Sequence, residues 1–246
     1  MTINNNSPSG VRGMIFAAGL GTRLKPFTDH HPKALAMVNG KTLLQRNIEY
    51  LQGFGIQDII VNVHHFADQI IEVIQKNNGW GSHISISDET DSVLETGGGL
   101  QKAKWFLKND FVVMNVDILT DFNLGEMIQQ HLQHKPLATL AVSNRNSSRF
   151  FLFNNHQQLC GWENIKTGEQ KIIRKEDPLI QKAFSGIHVI NESIFSLVRQ
   201  EGKFSMVDVY LSLCAQQAIE YFDHSGAKFV DVGKPENILV AENLFH

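Results

Sequence analysis

Two cations and two carboxylates carry the chemistry open to this sequence. Arg23 and Lys33 lie in MIFAAGLGTRLKPFTDHHPKAL (14–35), which joins a buried-looking apolar run to a loop rich in glycine and basic residues. Gly19 and Gly21 allow close backbone approach to a ligand, and Pro26 and Pro32 stiffen the path between the two charges. Asp117 follows the apolar FVVMNV, and Asp231 sits inside KFVDVG, where an unpaired carboxylate is costly to bury. Backbone amides and fixed positive charge at a strand end hold phosphate. Paired strand-end aspartates hold Mg²⁺, which takes carboxylate together with phosphate oxygens. The expected ligand is a nucleoside triphosphate with Mg²⁺.

Other glycine-loop chemistries fit less well. A dinucleotide-binding turn needs a third glycine and an immediate helix, whereas Gly19 and Gly21 are followed by Leu24 and two prolines, and no acidic residue ends the second strand. A Walker loop needs Gly-Lys-Ser/Thr, which does not follow. LETGGG (94–99) reads as a second glycine loop whose backbone borders a base or sugar, with Glu95 and Thr96 placed to hydrogen-bond it. His64 and His65 have no third ligand at metal spacing and read as packing or capping residues. Trp105 and RFFLF (149–153) read as core or insert packing.

These residues need a sheet that presents them on one edge. Residues 13–18 read as a central parallel strand opening into the basic loop, and open α/β sheets bind ligands beyond the carboxyl ends of such strands. Helical spacing over 42–54, with Thr42 as cap and Gly55 as stop, completes the first unit. Strands are expected at 58–63, 83–87, 111–116, 138–143, 183–190 and 228–232. Helices are expected at 66–76, after 99 to 107, and at 123–131, 192–199, 206–219 and 235–244. Residues 144–182 are turn-rich and read as a β-rich insertion covering the sheet's open edge. The expectation is a flexible tail over 1–12 and one domain over 13–246. Its fold would be α/β, a Rossmann-like, mostly parallel mixed sheet with helices on both faces.

With 22 basic against 25 acidic residues and no basic run, a nucleic-acid partner is not expected. Neither a signal peptide nor a membrane span is read, and two isolated cysteines exclude a disulfide framework. The expectation is a cytoplasmic monomer or small homo-oligomer.

AAGLGTRLKPFTDHHPKAL resembles the signature loop of the sugar-1-phosphate nucleotidyltransferases, and VDILTD and FVDVGKPENI resemble that family's two metal-aspartate segments. The likeness covers nearly the whole chain from Gly13. LETGGG, AFSGIHVI and a short carboxyl end are most similar to the N-acetylmuramate-1-phosphate uridylyltransferase members. The resemblance implies that Ala17, Ala18 and Gly19 line base and ribose, while Gly21, Thr22 and Arg23 hold the triphosphate. Lys33 would neutralise the α-phosphate and sugar phosphate, Asp117 and Asp231 would hold Mg²⁺, and Gly97 and Gly98 would border the base. Asn115, Gly186 and Glu163 are the candidate contacts to the sugar phosphate.

Two positions depart from the family pattern. Val116 stands where a glycine usually precedes the first metal aspartate, and Trp162-Glu163-Asn164 replaces a Glu-Lys-Pro segment. No hexapeptide repeat follows, so a single reaction is expected. That reaction is nucleotidyl transfer from a nucleoside triphosphate, UTP favoured, to N-acetylmuramate 1-phosphate or a related hexose 1-phosphate. The alternatives are mannose-1-phosphate guanylyl transfer, phosphocholine cytidylyl transfer, and a nucleotide-binding regulator without turnover.

Overall fold

The computed structural model describes residues 10–245. The expected tail falls mostly on residues 1–9, outside the described residues, and Arg12 already opens the first strand. In chain order, β1 (Arg12–Phe16) leads through three one-turn helices to a small ladder of β2 (Met37–Val38) and β3 (Lys41–Thr42). There follow α1 (Leu43–Gly53), β4 (Asp58–Val63), α2 (Ala67–Lys76), β5 (His83–Asp88), α3 (Glu95–Lys102), β6 (Asp110–Asn115), β7 (Ile118–Thr120) and α4 (Leu124–His134). The second half comprises β8 (Ala138–Ser143), β9 (Arg149–Phe153), β10 (Leu159–Asn164), β11 (Glu169–Ile172), β12 (Ile180–Asn191), α5 (Ile194–Leu197), α6 (Met206–Leu213), β13 (Ile219–Asp223), β14 (Phe229–Asp231) and α7 (Pro235–Leu244).

β1 lies parallel between β4 and β6, with β5 outside β4. The chain thus leaves β1 in both directions, which makes the carboxyl end of β1 the topological switch point where such sheets bind ligands. Register brings Phe16 opposite both Asn62 and Asn115, so one row of residues faces that edge. β12 runs antiparallel to β6 and carries β8 alongside, with β13 parallel to β8. The carboxyl ends of β8 and β13 therefore point to the same edge as β1.

Strand alternation explains the apolar runs. Ile15, Ile59, Val61, Val112 and Met114 pack on one face, beneath α1, α2 and α4. Met14, Phe16, Ile60, Phe111 and Val113 pack on the other, with Leu100 of α3 and Tyr210 of α6. Both faces are buried, so the strands read as continuous rather than alternating hydrophobicity. The Thr42 hydroxyl accepts the Gln45 amide at 3.0 Å to start α1, and Gly55 adopts φ 76° beyond its end.

Four expectations need correction. LETGGG is not a loop: Glu95 to Gly99 form the first turns of α3, because the amides of Gly97 and Gly98 converge on the Phe204 carbonyl at 2.9 and 3.3 Å. The helix expected over 206–219 stops at Leu213, and IEYFD forms β13 through parallel pairing with β8. Residues 192–199 yield a single turn, α5. The β-rich segment adds to an edge of the sheet: β9, β10 and β11 extend it beside the amino-terminal half of β12. Phe151 and Phe153 are buried there as expected, but Trp105 is 58% exposed and packs edge-on against Phe106 instead of entering the core.

Candidate active site

A cleft of about 260 Å³ opens beyond the carboxyl ends of β1, β4 and β6. It gathers eight of the expected residues: Ala17, Ala18 and Gly19 from the first loop; Lys33 from a one-turn helix; Glu95 and Thr96 from α3; and Asn115 at the end of β6 with Asp117 just after it. Asp231 joins them from a separate segment. β14 pairs antiparallel with β7, setting Asp231 opposite Ile118, and the Val232 amide donates to the Asp117 carbonyl at 2.8 Å. Arg23 completes the group: a Cβ at Gly233 would lie 2.8 Å from Arg23 Nη2 and 2.6 Å from Asp231 Oδ1. Guanidinium and carboxylate meet across Gly233, and no side chain fits between them.

Lys33 stands in a one-turn helix and forms an ion pair with Asp117, the two side chains being 12% and 13% exposed. Among the described residues Asp231 has no ion pair of its own. Its Oδ1 is buried without a hydrogen bond. Burial first, and the neighbouring Asp117 carboxylate second, hold its pKa above the ordinary range; Lys33 and Arg23 offset this only in part. Two carboxylates with an uncompensated inner oxygen form an incomplete charge arrangement. Among the described residues, no three His, Cys, Asp or Glu side chains gather to enclose a metal, so a cation here would take its remaining ligands from substrate.

Gly21 adopts φ 62° as the cap of the one-turn helix that carries Thr22 and Arg23, and its carbonyl accepts from the Thr28 hydroxyl at 2.9 Å. Neither Gly21 nor Thr22 lines the cleft. Gly97 and Gly98 are buried against the segment 202–204 with their amides bound to the Phe204 carbonyl, and neither is among the residues that line the cleft. The Thr96 hydroxyl accepts the Met206 amide at 2.9 Å and anchors α6 to α3. Gly186, at φ 74°, sits behind Asn115: a Cβ there would lie 2.8 Å from Asn115 Nδ2, so its role is to admit that side chain. Glu163 is outside the cleft, on β10, bonded by Gln181 and Gln170. Val116 takes no left-handed conformation; its amide donates to the Phe16 carbonyl at 3.1 Å, and the departure from glycine is accommodated.

Two polar cleft residues were not anticipated. Asn62 accepts the Ala17 amide at 2.7 Å and donates to Glu89 Oε1 at 2.7 Å, so the Ala17 N–H is engaged within the protein. Glu89 Oε2 is buried, and burial raises the carboxyl pKa against the lowering effects of Asn62 and the Leu94 backbone. Gly99 makes room for this pair, since a Cβ would lie 2.7 Å from Glu89 Oε1. The signal in the sequence was a lone polar residue inside DIIVNV. His64 Nδ1–H donates to the Glu89 carbonyl at 2.7 Å, a positioning role in place of metal binding.

Comparison with known proteins bears on this arrangement. The chain is 27% identical over 243 residues to a mannose-1-phosphate guanyltransferase of Yarrowia lipolytica, covering 96% of this chain and 64% of the relative. It thus spans about two thirds of the length of the curated relatives it matches. The structure of HddC from Yersinia pseudotuberculosis complexed with GMP-PN superposes with a TM-score of 0.78 at 25% identity, over 96% of this chain and all of that one. The inositol-1-phosphate CTP transferase of T. maritima gives 0.73 at 16%, over 95% and 94%, a likeness of fold. The profile of the family described as Nucleotidyl transferase matches residues 12–246, and the chain belongs to that family.

Proposed function

We propose that the protein transfers a nucleotidyl group from a nucleoside triphosphate to a hexose 1-phosphate with Mg²⁺, releasing pyrophosphate. The observation that carries this reading is Asp231 Oδ1, buried without a partner beside Asp117 and within the field of Arg23 and Lys33. A hard divalent cation with oxygen ligands fits that donor set. Asp117 and Asp231 would hold it, and it would supply charge neutralisation as two phosphate groups approach.

The chain's own residues do the rest. Lys33 sits at Asp117 and meets the α-phosphate and the incoming sugar phosphate, while Arg23, beside Asp231, faces the departing pyrophosphate. The attacking phosphate oxygen is already an anion at neutral pH, so the task is to position anions rather than to remove a proton. Asn62 and Glu89 line the wall nearest Ala17 and Val93 and offer polar contacts to the base. Buried free thiols at Cys160 and Cys214 fit a reducing compartment such as the cytoplasm.

Relatives named as mannose-1-phosphate guanyltransferases make GTP with mannose 1-phosphate one reading of the pair. A second reading, uridylyl transfer to N-acetylmuramate 1-phosphate, rests on LETGGG and AFSGIHVI. A pyrophosphate-release screen of four nucleotides against hexose 1-phosphates, N-acetylmuramate 1-phosphate and phosphocholine tests both. Release with one sugar phosphate and added Mg²⁺ is the expected result. Release with phosphocholine alone, or nucleotide binding without any release, contradicts the proposal.

A further inference from the structure

A second cavity, of about 300 Å³, opens at the carboxyl ends of β8 and β13, and its walls include Ser143, Asn144, Arg145, His224 and Phe229. Three polar atoms on these walls are buried and have no hydrogen-bond partner: Ser143 Oγ, Arg145 Nε and His224 Nδ1. Ser143 and His224 are each only 5% exposed. Three orphaned polar atoms around one opening form a cost that a ligand removes, since buried polar groups are otherwise bonded.

The groups have a definite chemistry. Arg145 Nη2 donates to the Phe184 carbonyl at 2.6 Å, and the guanidinium carbon lies 5.0 Å from the Phe229 ring centroid, so the group is held in place beside the cavity. His224 lies against Phe122 and Phe229, and its Nε2 is 2.7 Å from Ser185 Oγ. When Nε2 accepts the Ser185 hydroxyl, Nδ1–H is a donor. The nearby Lys182 is unavailable, because its Nζ already contacts Asp223 and Asn144. Among the described residues Arg145 carries the one charge on these walls outside an ion pair, and the Asp231 and Asp223 carboxylates act on Arg145 and His224 and temper it, so the cavity suits a singly charged carboxylate better than a phosphate dianion.

Its position ties it to the first cleft. Arg145 stacks on Phe229, two residues before Asp231 on β14, and side chains two apart share a face about 7 Å from each other. That separation is of the order of a hexose ring. The Asp231 charge also acts on Arg145.

Building on the proposed transfer to a hexose 1-phosphate, we infer that the Arg145 cavity receives a carboxylate carried by the acceptor sugar, with Ser143 and His224 as its other donors. The protein thereby prefers an acidic sugar 1-phosphate to its neutral counterpart. Two matched pairs place the carboxylate differently: glucuronate 1-phosphate against glucose 1-phosphate, and N-acetylmuramate 1-phosphate against N-acetylglucosamine 1-phosphate.

The test measures KM and kcat for both pairs in the wild-type chain and in Arg145→Gln, Arg145→Lys and Ser143→Ala. The expected result is a KM advantage for one acidic acceptor that Arg145→Gln reduces about 10- to 100-fold, with the neutral acceptor unchanged. Arg145→Lys should fall between, and Ser143→Ala, which removes only an unbonded hydroxyl, should raise the acidic KM several-fold. Equal losses for acidic and neutral acceptors would show that Arg145 only supports the fold, and would overturn the inference. If no acceptor releases pyrophosphate, the proposed reaction is what fails. Calorimetric binding of the same four sugar phosphates then decides the cavity by itself: an acidic preference abolished by Arg145→Gln supports it, and equal affinities refute it.

Discussion

Lys33–Asp117 and Lys182–Asp223 are two Lys–Asp pairs of one chain, the first buried and the second with its lysine buried and its aspartate about a third exposed, and their surroundings are opposite. Around Lys182–Asp223 every charge has its complement. Lys182 Nζ reaches Asn144 Oδ1 at 2.7 Å and lies over the Tyr221 ring, and Asp223 Oδ1 accepts from the Ser225 amide at 2.9 Å. Burial pushes the Asp223 pKa up, but Lys182 and Ser225 more than offset it and hold it below the ordinary value. Around Lys33–Asp117 a second carboxylate is pressed in, with one oxygen unbonded and its pKa raised. The first pair stabilises the fold. The second leaves like charges uncompensated, which a binding site does and a scaffold avoids.

The sharpest way to break this contrast is activity. Asp117→Ala should lower kcat at least about 10²-fold in a pyrophosphate-release assay, through loss of transition-state charge stabilisation. Asp223→Ala should leave turnover of a neutral acceptor within a few-fold. Near-normal turnover by Asp117→Ala at low Mg²⁺ would remove the carboxylate pair from the chemistry.

Stability should respond the other way. Asp223→Ala leaves the Lys182 ammonium buried without its carboxylate and should cost about 2 kcal/mol in urea unfolding, discounted from a fully buried pair because Asp223 is about a third exposed. Acid should expose the same difference. The depressed Asp223 pKa contributes stability that is present above the unfolded-state value and lost as pH falls through the folded one. Asp231 has the opposite sign: its raised pKa weakens the fold above the folded value, and that weakening is absent below the unfolded one. An unfolding series from neutrality into acid should therefore show the Asp223→Ala deficit shrinking below about pH 4.

A smaller effect sharpens the packing side. Gly97→Ala would drive a Cβ into the Phe204 ring and to 2.9 Å from its carbonyl, and should destabilise by about 1–3 kcal/mol while leaving acceptor choice unchanged. The smallest shift is expected for Glu89→Gln. Removing a buried carboxylate with a raised pKa should leave the melting temperature equal or slightly higher at neutral pH, and lower nucleotide affinity measured by calorimetry.

Much of this was legible in the sequence because it rested on local chemistry. DIIVNV gave its strand to the residue, Thr42 its cap, and the loop with its two prolines stayed irregular until the ladder before α1. Asp117 and Asp231, which the resemblance paired as metal aspartates, do meet. What escaped was set by distant partners. Three glycines each cost a helix about 1 kcal/mol relative to alanine, so LETGGG reads as a loop; only the close approach to Phe204 and to the Asn62–Glu89 pair makes it helical. IEYFD became a strand through β8, some eighty residues earlier. Glu163 was placed by analogy with a segment whose residues this chain does not share, and it lies outside the cleft lining, bonded to Gln170 and Gln181. The recess at Arg145 needed three segments brought together and left no motif to read.

The central claim is that Asp231 is held at a cost to the fold so that a cation can be bound. Thermal unfolding of the wild-type chain and Asp231→Asn, each with and without millimolar Mg²⁺ at neutral pH, tests it most directly. The account predicts that Asp231→Asn melts at or above the wild type without Mg²⁺ and gains nothing when it is added, while the wild type rises. A variant that melts lower, or that shares the wild-type response to Mg²⁺, would contradict it.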